Sequence, residues 1–295
     1  MDQGSVILGS GESTALKQAS HSIGAVLIDA GRLKAEDAEQ ILRLQQEKGL
    51  RFGEAAMQLG LLRQADIDFA LSCQFDYPYL LRGQSAVSEE VVAAYAPFTP
   101  QVEALRVLRS QLVLRWFGSA DDHKALAIVS AERKEGRSFI AANLAVVFSQ
   151  LGEHTLLIDA DMRNSCQHRL FGLDGRAGLS AVLSGRAGQE TIQRVPLLRD
   201  LSVLPAGTQP PNPSELLARP LFSQLMHQLA SEFDVVIFDT PAAGETADTQ
   251  SVTLCASAAL IVVHKDATRL WRVRGIADSA GHASATVLGA VLNDF

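Results

Sequence analysis

Cysteine is scarce and scattered. Cys73, Cys166 and Cys255 are odd in number, far apart and outside any C-x-x-C spacing, which excludes a disulfide framework and a cysteine zinc site. The seven histidines form no H-x-x-x-H pair, so no transition metal is expected. Long Lys/Arg runs are missing, and 26 basic against 33 acidic residues leave a net charge of −7, which argues against a nucleic-acid coat. No apolar stretch reaches the roughly 20 residues a membrane-spanning helix needs. The opening MDQGSVILGSGEST lacks the basic and apolar regions of a signal peptide, so a cytoplasmic protein is expected. Tyrosine occurs only as Tyr77, Tyr79 and Tyr95.

What is present is enough for a sizeable core: 295 residues, 47% hydrophobic, with a mean hydropathy of +0.11. That length favours two domains. The acidic excess is concentrated early, with 8 basic and 13 acidic side chains in residues 1–95.

The early region repeats itself at an offset of 29 residues. SIGAVLIDAGRLKAEDAEQILRLQ (22–45) lies over RFGEAAMQLGLLRQADIDFALSCQ (51–74), with Gly24/Gly53, Gly31/Gly60, Leu33/Leu62, Asp37/Asp66, Leu42/Leu71 and Gln45/Gln74 in register. Each unit reads as a short helix, a glycine turn and a second helix with apolar residues at helical spacing. We expect a flexible N-terminus over 1–20, a small helical domain over 21–82, and a linker over 83–100, where Pro97 and Pro100 fall. The repeat resembles the N-terminal domain of type II secretion and pilus ATPases, including the MshE-type module that binds cyclic di-GMP through R-L-G-x-x-L-x-x-x-G-L and a closing L-x-x-Q. Arg51, Phe52, Gly53, Gly60 and Gln74 fit the second copy; Gly24, Gly31 and Gln45 fit the first, where Ser22 replaces the arginine. That resemblance implies a cyclic di-GMP site at Arg51, Phe52, Gly53, Gln45 and Gln74, and an adaptor domain with Arg51 on a solvated face is the alternative.

From 101 to 295, apolar runs alternate with helical patterns: ALAIV (125–129), TLLIDA (155–160), LSVLPA (201–206), VVIFDT (235–240), ALIVV (259–263) and TVLGAVL (286–292). This is the pattern of a doubly wound, mostly parallel α/β sheet. SAERKEGRSF (130–139) follows the first strand and opens a helix, as a phosphate-binding loop does. Gly136, Arg137 and Ser138 align with G-K-[ST], so arginine stands in the lysine position. Lys134 occupies a place often filled by glycine. TLLIDADMR (155–163) and FDVVIFDTP (233–241) run from apolar strands directly into Asp159, Asp161 and Asp239, at the sheet edge where ligands of such folds bind. Carboxylates beside a phosphate loop suit hydrated magnesium and proton acceptance.

These motifs resemble the cytoplasmic domain of bacterial tyrosine autokinases that control exopolysaccharide chain length, in particular the EpsG-type kinases. Glu103, Arg106 and Arg109 match the family's E-x-x-R-x-x-R helix, the Arg137 loop its Walker A, Asp159 and Asp161 its Walker A′, and Asp239 its Walker B; GLSAVLSGRAG (178–188), PNPSELLARP (211–220) and VLGAVLN (287–293) also match. The resemblance implies a P-loop ATPase fold and ATP held by Lys134, Glu135, Gly136, Arg137, Ser138, Phe139 and Asn293. It implies magnesium at Ser138, Asp159 and Asp239, and catalysis by Arg137, Asp159, Asp161 and Asp239, with one of the two Walker A′ aspartates as the base, Asp161 ahead of Asp159. A homo-oligomeric ring through Glu103, Arg106 and Arg109, and a membrane-bound chain length determinant adaptor at the inner membrane, are implied as partners.

Three departures qualify the match. Family members commonly carry a tyrosine-rich tail, and no tyrosine here follows Tyr95. Arg137 replaces a compact ammonium with a planar fork, favouring nucleotide binding over phosphoryl transfer. No membrane helix is expected within the chain. The alternatives are a nucleotide-regulated pseudokinase scaffold and a MinD- or ParA-like ATPase. The latter's signature lysine falls near Glu132, of opposite charge.

Overall fold

Two compact units divide the chain, residues 1–77 and 78–295. A computed structural model describes residues 22–74, 79–119, 123–244 and 246–294. The stretch 1–20, expected to be flexible, and Tyr77 lie outside these described residues.

The first unit is the expected pair of helix–turn–helix copies: α1 (Ile23–Asp29) and α2 (Ala35–Lys48), then α3 (Phe52–Gln58) and α4 (Gln64–Gln74). Gly31 and Gly60 follow the first helix of each copy, and both sit at φ +67°, the left-handed region that glycine enters without a Cβ clash. Leu33 and Leu62 then turn inward, joining Leu27, Ile41, Ala55, Ala56 and Ile67 in one small core. The helix starts are solved differently. Ser22 Oγ accepts from the Ala25 N–H at 3.2 Å, whereas in the second copy the Glu54 carboxylate accepts from the Arg51 N–H at 2.9 Å. The copies also part at Leu42, which is exposed while Leu71 packs against the core.

The second unit is built on a seven-stranded sheet among the described residues, in the order β3-β4-β2-β5-β1-β6-β7. Its strands are β1 (Ala125–Ser130), β2 (Thr155–Asp159), β3 (Gln193–Arg194), β4 (Leu201–Leu204), β5 (Val235–Asp239), β6 (Ala258–His264) and β7 (Thr286–Asn293). All pairings are parallel except the two-residue β3, which runs antiparallel to β4 and was not expected from sequence. Strand alternation sends Leu126, Ile128, Leu157, Val235 and Ile237 to one core and Ala127, Val129, Leu156, Ile158, Val236 and Phe238 to the other.

Residues 83–100 are not a linker. Their helix α5 (Val92–Tyr95) and the neighbouring Val87, Val91, Ala93 and Ala94 are buried in the first of those cores. Helix α6 (Pro100–Leu112), capped by Thr99, continues the segment, and α7 (Arg137–Ser149) runs beneath it. Asn143 of α7 is fully buried; its Oδ1 accepts from Ala93 N–H at 2.9 Å, and its Nδ2 donates to Glu90 O at 3.3 Å and Phe139 O at 2.9 Å. The apolar side chains that punctuate this proline-containing stretch have α7 to bury against, which proline count alone does not reveal.

Candidate functional site

Strand parity and register create the site. Asp159 and Asp239 end β2 and β5, and they face each other in register across that parallel pair. Counting back by twos, both lie on the face covered by α7, whose first turn contains Arg137, Ser138 and Phe139. The loop between β1 and α7 closes through Gly136 at φ +90°, and Lys134 also sits in the left-handed region, at φ +63°. The leading N–H groups of α7 thus point toward the carboxylate end of the sheet, as anion binding at a helix start requires.

The loop is braced from outside the motif. Glu135 is buried, its Oε2 accepting from Glu132 N–H at 2.9 Å and its Oε1 accepting from the Thr268 hydroxyl. Asn293 Nδ2, at the end of β7, donates to Glu135 O at 3.1 Å. Glu135 and Asn293 therefore shape the loop through their side chains. Lys134 is exposed. Phe139 packs against the core and, with Ser138, Cys166 and Arg169, lines a cleft of about 370 Å³.

Arg137 is turned inward and is 7% exposed. Its Nε donates to Thr240 O and its Nη1 to Ser130 Oγ, with Glu132 O at 3.5 Å. The same guanidinium lies 3.7 Å from Asp161 Oδ2 and 3.7 Å from Asp239 Oδ1. One buried cation thus stands between two carboxylates. A planar fork can serve all these acceptors at once, which an ammonium cannot.

Asp159 and Asp239 are fully buried. Asp159 Oδ2 accepts from the Cys166 and Gln167 N–H groups at 2.9 and 3.0 Å, and Asp239 Oδ2 accepts from Gln167 Nε2 at 2.8 Å. Asp161 Oδ1 accepts from the N–H groups of Arg163 and Asn164 at 3.2 and 2.9 Å. Burial, then repulsion from Asp239, holds the Asp159 carboxyl well above the usual carboxylate range. Burial also raises Asp239, against the lowering effects of Arg137 and of hydrogen bonds from Gln167 and Ser138. The Cys166 thiol is pushed up to about 12 by burial and by both aspartates, so it is no nucleophile at neutral pH.

Three acceptor atoms here are buried without a hydrogen-bond partner: Asp159 Oδ1, Asp239 Oδ1 and Gln167 Oε1. Buried acceptors are costly to leave bare. Carboxylates paired across neighbouring strands, together with an amide oxygen, are hard oxygen donors of the kind that suits a hydrated magnesium ion, which typically takes one or two carboxylates and keeps its waters. The residues present fit that group.

Sequence reasoning thus brought together Gly136, Arg137, Ser138, Asp159, Asp161 and Asp239. It missed Gln167, which has no place in any recognised motif and becomes visible only when α8 (Gln167–Leu170) is laid against β2 and β5. It also missed Ser130 and Thr240, whose part is to hold Arg137.

Elsewhere, Glu103 and Arg106 form an ion pair at 3.0 Å within α6, and Arg109 Nη1 donates to Val147 O at 2.6 Å, fastening α6 to α7. In the helical unit, Phe52, Gln45 and Gln74 meet Ser22, Gly24 and Leu42 around a cavity of about 550 Å³, while Arg51 and Gly53 are not among its lining residues. No helix among the described residues is long and apolar enough to cross a membrane.

Residues 124–283 match the family model for Cellulose biosynthesis protein BcsQ. The tyrosine-protein kinase YwqD of Bacillus subtilis (strain 168) is 34% identical over 210 residues, 71% of this chain and 87% of that protein. The kinase domain of the Escherichia coli tyrosine kinase ETK superposes with a TM-score of 0.68 at 30% identity, covering 75% of this chain and 86% of that one. The chimerical protein CapA2B2 gives 0.65 at 32% identity, covering 76% and 96%. The cell division ATPase MinD of Pyrococcus furiosus shares the fold less closely, at 0.52 and 27% identity over 58% of this chain and 72% of that one. With the loop, the paired aspartates and these likenesses in agreement, the chain belongs to the bacterial tyrosine-kinase family of P-loop ATPases.

Proposed function

We propose that this chain binds ATP with magnesium and acts as a tyrosine-kinase-like regulator of exopolysaccharide chain length, polymerisation and export. The observation that carries the proposal is the in-register pair Asp159 and Asp239, each with a buried oxygen that accepts no hydrogen bond, beneath the N-terminus of α7. Ser138, Asp159 and Asp239 hold the magnesium, and the backbone from Lys134 to Phe139 cradles the phosphates. When bound, the ion neutralises charge on the phosphates during transfer. Asp161 accepts the proton of the attacking tyrosine hydroxyl, and Arg137 balances the carboxylates before nucleotide arrives. Tyr95 is not the acceptor, because it is buried and donates to Val87 O.

The chain works in the cytoplasm, bound to a membrane-embedded chain length determinant, as the likeness to a CapA2B2 chimera supports. A homo-oligomeric ring through Glu103, Arg106 and Arg109 accompanies that role. Calorimetry should show magnesium-dependent ATP binding that is lost in Asp159→Ala and Asp239→Ala while the fold persists; unchanged affinity in both variants rejects the proposal.

A second reading, a nucleotide-regulated pseudokinase scaffold, is favoured by one feature. Arg137 spends its donors inward on Thr240 and Ser130 rather than toward the phosphate side. Labelled ATP with an added tyrosine peptide separates the two, since binding without transfer selects the scaffold. The cavity bounded by Phe52, Gln45 and Gln74 supports cyclic di-GMP binding by the helical unit. Titration with that dinucleotide yielding no heat at high micromolar concentration removes this part.

A further inference from the structure

Gln167 lies outside every motif, yet three motifs meet at it. It is fully buried. Its Nε2 donates to Asp239 Oδ2 at 2.8 Å and to Ser138 O at 3.1 Å, and its own N–H donates to Asp159 Oδ2 at 3.0 Å. One residue therefore fixes the end of β2, the end of β5 and the first turn of α7 against each other.

The amide's orientation follows from its neighbours. Ser138 O and the Asp239 carboxylate only accept, so the NH₂ must face them. This leaves Oε1 buried and without a hydrogen-bond partner, as are Asp159 Oδ1 and Asp239 Oδ1, the last of them 3.7 Å from the Arg137 guanidinium. All three orphans here are acceptors, so what completes the site must present cationic charge or donors. A hydrated cation does both: carboxylate oxygens reach the ion, and an amide oxygen takes a proton from one of its waters.

Resting on the ATP and magnesium reading, we infer that Gln167 is the positioning residue of the metal site, orienting Asp239 through Nε2 and holding the ion's water shell through Oε1. A packing role alone predicts that its loss lowers stability and all nucleotide affinity together. A positioning role predicts a split, with metal-dependent binding falling and metal-free binding unchanged.

The test uses the full chain and a fluorescent ATP analogue, titrated with Mg²⁺ and separately in EDTA. Gln167→Leu should need about 10–100-fold more Mg²⁺ for half-maximal binding, the range seen when groups supporting metal ligands are removed. Its EDTA-state affinity should stay within about twofold of the unaltered chain. Gln167→Glu keeps an acceptor but loses the Nε2 donor to Asp239 Oδ2 and Ser138 O, so its Mg²⁺ requirement should shift from that of the unaltered chain, and its Mn²⁺ complex should differ from the unaltered one by electron paramagnetic resonance. It also serves if Gln167→Leu fails to fold. An unshifted Mg²⁺ requirement in either folded variant overturns the inference alone. Absence of nucleotide binding by the unaltered chain overturns the ATP reading and this inference together.

Discussion

Lys134 shows why a glycine so often stands at its place in such loops: its φ of +63° costs a side chain roughly 1–2 kcal/mol. Lys134→Gly should relieve that strain and, after the added freedom of the unfolded chain, raise stability by about 0.5–1 kcal/mol in urea titrations. The buried aspartates give a pH dependence of fixed sign. Their folded pKa values are raised, so the folded chain binds protons more tightly than the unfolded chain. Their contribution to stability is therefore full below the ordinary carboxylate range and is lost as pH rises through the raised values. In EDTA, Asp159→Asn should raise the urea midpoint and flatten this decline relative to the unaltered chain. The aspartates themselves were legible in sequence, because apolar strands running into Asp can be read by eye. The inward fold of Arg137 was not legible, since its acceptors are a hydroxyl on β1 and a carbonyl 103 residues downstream.

At the level of elements, the repeat was readable down to its turns, because a left-handed residue selects glycine at both Gly31 and Gly60. Six strands were equally plain as apolar runs, while β3 has two residues and no apolar pattern. The segment 83–100 misled because prolines mark turns whether or not the turns are buried. Its attachment rests on Asn143, whose amide satisfies one N–H and two carbonyls. Asn143→Ala leaves the Ala93 N–H buried and unpaired, so it should cost about 1–3 kcal/mol and expose residues 85–98 to hydrogen exchange ahead of the sheet.

For the molecule as a whole, the two units differ in what they bury. Among the described residues, the helical unit has a core of nine buried apolar residues, whereas the sheet unit has two far larger cores. Calorimetry should show two transitions, the lower one from residues 22–74. Magnesium and ATP at about 100 times the dissociation constant should raise only the upper one, by about 2.7 kcal/mol. The sheet order also sets a timetable. Strand β1 leads directly into the phosphate loop, yet it is flanked by β5 and β6, which are synthesised more than 100 residues later. At about 5–20 residues per second, that is a wait of roughly 5–25 s on the ribosome. The helical unit, whose contacts are local, is complete long before then, so a nascent chain carries it while the nucleotide site is still two unpaired edges.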